Sequence, residues 1–141
     1  MISAKLGPAG RILIVDDQRN WRLALVKLLE GHEVSLAESV DEAKQALQKN
    51  TFDVVILDVR LIDLDALNVD GIGLLRTLKC ERPDMGLIVL TAYPENIRRE
   101  VLERYPPDHL LLKVPPGLRF DSDGFRAKVG ELVERSQKRI S

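Results

Sequence analysis

Apolar runs and amphipathic stretches alternate along this chain. RILIVD, Arg11–Asp16, is short, β-branched and almost continuously apolar, as expected of a strand buried on both faces. In RNWRLALVKLLEG, which follows, Trp21, Leu25, Leu28 and Leu29 recur at helical spacing and Gly31 supplies the stop. EVSLA reads as a weaker strand. Ser39 and Glu42 form a capping box ahead of the helix DEAKQALQK. FDVVILDV is the most strongly apolar strand, and DGIGLLRTLKCER reads as a third helix ended by Pro83. GLIVLTA, ENIRREVLERY, DHLLLKV and GFRAKVGELVERSQKRI continue as strand, helix, strand and helix.

Five strand–helix units in strict alternation predict an α/β fold: a doubly wound, five-stranded parallel sheet with helices on both faces. Ligands of such sheets bind beyond the carboxyl ends of the strands. That rule turns a linear order into a site. Asp16 and Asp17 end the first strand, Asp58 the third, Thr91 the fourth and Lys113 the fifth.

Composition narrows the class without changing this picture. A chain of 141 residues, 45% hydrophobic and 30% charged, is sized for one globular domain. A net charge of −1 offers no electrostatic footing for nucleic acid or a membrane surface. The one cysteine, Cys80, reads as a half-buried helix residue and suits a reducing cytoplasm. No apolar run reaches membrane-spanning length, and residues 1–10 read as a flexible leader before a domain at 11–139.

Carboxylates gathered at one edge repel unless a cation joins them. An oxygen-rich, nitrogen-poor set suits Mg²⁺. Lys113 and the Thr91 hydroxyl could receive phosphoryl oxygens, which leaves Asp58 as a nucleophile forming an acyl phosphate. Each residue also has an ordinary reading: Asp16 or Asp17 as turn former or cap, Thr91 as a strand residue, Lys113 as a solvated charge, Asp53 as a surface or turn residue, Trp21 as a core or rim aromatic. The joint placement at one edge is what favours chemistry.

With ILIVDDQ, FDVVILDVRL, IVLTAY and HLLLKVP in this order, the chain resembles the receiver domains of two-component response regulators from about Arg11 to Arg139. The resemblance implies the flavodoxin-like receiver fold, strand order 2-1-3-4-5. It also implies that Asp58 is phosphorylated by a partner histidine kinase or phosphotransfer protein in a Mg²⁺-dependent reaction. Asp17 would ligate the metal directly, Asp16 through a metal-bound water, and Arg60 through its backbone carbonyl, with Asp58 completing the set. Thr91 and the Ala92 N–H would contact the phosphoryl group, and Lys113 would pair with it. Such a domain is not an enzyme beyond its own phosphorylation and dephosphorylation. The family often uses the surface of the fourth helix, fifth strand and fifth helix for homodimers or output-domain contacts.

Three departures stand out. The loop from Arg60 to Asp70 is longer than in typical receivers and lacks their proline; Asp70 reads as a cap of the third helix, and Asp63 and Asp65 as solvated charges. Val114 intervenes between Lys113 and Pro115, where the family has a cis-proline, and a cis bond there would cost about 3 kcal/mol. Leu110 stands where many receivers carry a switching aromatic, so the 60–70 loop and fourth helix are expected to move instead. The resemblance implies that the positions of Arg60 and Tyr93 tune loss of the phosphoryl group; both are large, which predicts slow loss if they face the site, the alternative being that both point to solvent.

The rival readings are weaker. A haloacid-dehalogenase-type phosphotransferase would place its Asp-x-Asp directly after a strand, whereas Asp63 lies beyond Asp58. A calcium loop lacks its central glycine and final glutamate. A mononucleotide binder would not place DDQRN against a phosphate. A receiver fold used only for protein contacts is the remaining alternative, and the set Asp16, Asp17, Asp58, Thr91 and Lys113 argues against it.

Overall fold

The computed structural model describes residues 9–58, 69–92, 99–113 and 120–140. Strands and helices alternate: β1 (Arg11–Val15), α1 (Arg19–Leu28), β2 (Glu33–Ala37), α2 (Val40–Lys49), β3 (Val54–Asp58), α3 (Val69–Arg76), β4 (Gly86–Thr91), α4 (Arg99–Arg104), β5 (His109–Leu112) and α5 (Ser122–Ile140). The strands form one five-stranded sheet in the order β2-β1-β3-β4-β5, every neighbouring pair parallel. This is the doubly wound arrangement expected from the alternation.

Side-chain alternation along each strand divides the core in two. Leu13, Val15, Val55, Leu57, Leu87 and Val89 point to one face, where Ala43 and Leu47 of α2, Leu74 and Leu75 of α3 and Val101 of α4 cover them. Ile12, Ile14, Val54, Ile56, Ile88 and Leu90 point to the other, beneath Leu25 of α1 and Phe125, Val129 and Val133 of α5. Because both faces are covered, β1, β3 and β4 read as unbroken apolar runs.

Local chemistry sets the element ends. Ser39 Oγ accepts from the Glu42 N–H at 3.1 Å, and Glu42 Oε1 accepts from the Glu38 N–H at 2.9 Å. The second contact reaches one residue outside a standard capping box. Gly31, at φ +100°, turns the chain out of α1 in a conformation that side chains disfavour. The third helix differs from expectation. It begins at Val69, so Asp70 lies in its first turn, and it relaxes after Arg76 into one wide π-helical turn, Thr77–Glu81. α5 begins at Ser122 rather than Gly124, because Asp121 Oδ1 caps the Gly124 N–H at 3.0 Å.

Two further expectations are corrected. Cys80 is exposed. Asp53 is buried rather than superficial, its carboxylate accepting from the Arg11 N–H at 2.9 Å and from Ser136 Oγ at 2.8 Å. Ahead of β1, Gly10 is buried and its carbonyl accepts from the Glu33 N–H, and the Ala9 carbonyl accepts from Gln137 Nε2. The remainder of the expected leader lies outside the described residues.

Candidate functional site

The parallel register carries the polar residues to one edge. Val15 of β1 lies beside Leu57 of β3, which aligns Asp16 with Asp58 one step further on. Asp58 pairs with Leu90 and Thr91 with Leu112, so Thr91 and Lys113 follow at successive strand ends. The Lys113 N–H donates to the Thr91 carbonyl at 2.6 Å and fixes the last step.

Asp16, Asp17 and Asp58 each offer a carboxylate oxygen within 4.8 Å of the others. Asp16 and Asp58 are buried at 1% exposure, while Asp17 is exposed. The site thus has a dry floor and an open lip. Lys113 supplies the opposing charge: its Nζ lies 2.8 Å from Asp16 Oδ2 and 3.3 Å from Asp58 Oδ2, itself only 3% exposed. Without that ammonium, two buried carboxylates would face each other at a prohibitive desolvation cost.

Helix α1 braces the Asp16–Asp17 corner. Asp16 Oδ1 accepts from the Gln18 N–H at 2.8 Å, turning the chain from β1 into the helix. The Asp16 carbonyl accepts from Arg22 Nη1 at 2.8 Å, and Arg22 Nη2 reaches Glu38 at 2.9 Å. Sequence reasoning passed over Gln18 and Arg22. Arg22 carried a readable signal, a charge within α1 one residue from the apolar position Trp21, but its partners lie just beyond the ends of β1 and β2.

The donor set fits a small divalent cation. It is all oxygen and partly solvated, and Asp16 Oδ2 is buried without an aligned hydrogen bond among the described residues, met by the Lys113 charge at 2.8 Å. Thr91 is buried at the tip of β4, where the sequence placed it. Arg60, Tyr93, Asp63, Asp65, Val114 and Pro115 lie outside the described residues. Leu110 is 45% exposed on β5.

The comparisons agree with this geometry. Residues 12–113 match the family described as response regulator receiver domain. The transcriptional regulatory protein ZraR of Escherichia coli K12 is 34% identical over 84 residues, covering 58% of this chain and 18% of ZraR. A response regulator receiver domain protein (CheY-like) from Methanospirillum hungatei JF-1 is 25% identical at a TM-score of 0.72, covering 94% of this chain and 99% of that one. The response regulator TrrA from Thermotoga maritima, solved in complex with Mg²⁺–BeF, is 31% identical at a TM-score of 0.66, covering 86% and 97%. The chain spans less than a fifth of the length of the curated relatives it matches, at 18% of each. With strand order, acidic corner and strand-end lysine all in place, the chain belongs to the response regulator receiver domain family.

Proposed function

We propose that Asp58 is the phosphoacceptor of this receiver domain and takes a phosphoryl group from a histidine kinase or phosphotransfer protein in a Mg²⁺-dependent reaction. One observation carries the reading: the Asp58 carboxylate shares a buried strand-end pocket with Asp16, Asp17 and Lys113. An Asp58 oxygen attacks phosphorus, the P–O bond forms as the P–N bond to the donor histidine breaks, and the electron pair leaves on the imidazole nitrogen. Lys113 neutralises the transferred group from one side, and the Thr91 hydroxyl and Ala92 N–H donate to its oxygens. Asp16, Asp17, Asp58 and the Arg60 carbonyl would hold Mg²⁺, which supplies charge neutralisation between carboxylates and phosphoryl oxygens. TrrA, bound to Mg²⁺–BeF, supports this assignment by likeness.

The receiver body is taken as residues 11–139, acting in the cytoplasm on its own phosphoryl group and not on outside substrates. Its large side chains at Arg60 and Tyr93 argue for slow dephosphorylation. Leu110 and Leu112, 45% and 46% exposed on β5, support a protein-contact surface formed with α4 and α5, through a homodimer or an output domain. A fold used only for protein contacts leaves the buried acid–lysine cluster without a purpose.

Incubation with Mg²⁺ and a small phosphodonor, followed by intact-mass measurement, tests the reading. One phosphoryl adduct, absent in Asp58→Asn, is expected. No adduct on the wild-type chain would sink the phosphoacceptor assignment and favour the contact module.

A further inference from the structure

Lys113 is held from a side that the acidic cluster does not explain. Its three donors face Asp16, Asp58 and Gln18, the last at 3.0 Å from Nζ to Oε1. The contact to Gln18 is a hydrogen bond to a neutral amide oxygen; those to the carboxylates are charge pairs. Gln18 occupies the N-cap position of α1, where a short polar side chain ordinarily accepts from the helix. Its side chain makes no cap bond and turns to Lys113 instead.

The next turn of α1 adds a second wall. The Lys113 ammonium lies 5.0 Å from the Trp21 ring centroid, within cation–π range. Trp21 is in turn set by Phe120, edge to face at 5.5 Å, and Phe120 by Phe125 at 5.5 Å, a fully buried residue of α5. The indole therefore has a defined position rather than a free rotamer.

The Lys113 ammonium and a divalent cation are like charges drawn to the same cluster of carboxylates. Whatever holds Lys113 there therefore weakens metal binding and sets how readily the lysine gives way. We propose that Gln18 and Trp21 are positioning residues for Lys113, holding its ammonium against Asp16 and Asp58 in competition with the divalent cation. This rests on the reading that the acidic cluster takes such a cation.

The test is a double-mutant cycle read by Mn²⁺ binding to the full chain, with free Mn²⁺ measured by electron paramagnetic resonance. Gln18→Leu, at an exposed position, should tighten Mn²⁺ binding about threefold to tenfold, the range of one net hydrogen bond. In the Lys113→Met background the same substitution should change nothing, because the group it acts through is gone. Trp21→Leu should follow Gln18→Leu, with Trp21→Phe restoring most of the wild-type value. Should Trp21→Leu fail to fold, the Gln18 cycle decides alone. Equal effects in both backgrounds, or weaker binding in Gln18→Leu, would overturn the inference while leaving the metal site intact. A wild-type chain that binds no Mn²⁺ would overturn both together.

Discussion

Arg135 of α5 grips Asp108 with both terminal guanidinium nitrogens, Nη1 to Oδ1 at 2.8 Å and Nη2 to Oδ2 at 3.2 Å. Asp108 Oδ2 also accepts from the Leu87 N–H at 2.8 Å. One carboxylate thus ties α5 to the starts of β4 and β5, at the sheet edge opposite the acidic corner. Burial opposes ionisation of Asp108, but the bonds from Arg135 and Leu87 and the neighbouring positive charges outweigh it and hold its carboxyl below the ordinary value.

This shift has a sign. The folded state binds its proton less readily than the unfolded one, so the contribution is complete above the ordinary value of 3.8 and fades as pH falls below it. Asp108→Asn should cost about 1–2 kcal/mol near neutrality, reduced because Arg135 is partly solvated. Urea unfolding should show the gap narrowing in acid. A constant gap across that range would contradict the ion-pair account.

His32 works in a different window. The Gly10 N–H donates to its Nδ1 at 2.9 Å, so the ring must stay neutral at that nitrogen. Burial lowers its pKa, against the pull of the Asp53 charge. The unfolded chain therefore binds the proton first: the contribution is complete above the ordinary value of 6.5 and is lost as pH falls. Denaturation midpoints should drop in wild type between about pH 7.5 and 5.5, and drop less in His32→Ala.

Arg22 predicts an asymmetry between two partners. Arg22→Met leaves the buried Asp16 carbonyl without its donor and should cost about 1–3 kcal/mol. Glu38→Gln should cost under about 1 kcal/mol, because the Glu38 side chain is 62% exposed. Chemical denaturation of both variants checks this, and equal losses would show that the carbonyl contact is unimportant.

Gly86 opens β4 under α5, where an added Cβ would meet Leu132 Cβ at 2.8 Å. Gly86→Ala should destabilise by about 1–3 kcal/mol through forced displacement of the helix. Gly130, within α5, has no described atom beyond its own stretch of helix within 4 Å of such a carbon, and Gly130→Ala should stabilise by about 0.5–1 kcal/mol. Thermal melts of the pair should move in opposite directions.

Much of the site was legible because its signals are local. β1, β3 and β4 announce themselves by runs such as ILIV and VVIL, and each run stops at its polar residue. Strand direction follows from alternation with helices, so Asp16, Asp58, Thr91 and Lys113 could be placed at one edge before any coordinates. Asp53 was misjudged because its partners, Arg11 and Ser136, are distant in the chain, the latter by 83 positions. Nothing beside a lone aspartate in sequence announces such a partner.

The sequence by itself determined the order of layers, the two apolar faces and the identity of the edge where charge collects, since hydrophobic period and strand–helix alternation depend on neighbours a few residues apart. Tertiary structure decided which groups neutralise one another there. Lys113 meets Gln18 across 95 positions, and Trp21 is oriented by Phe120 and Phe125 from the far end of the chain. Contacts of that span arise only when the sheet closes and both helical layers pack, because they depend on where whole elements sit rather than on any local pattern.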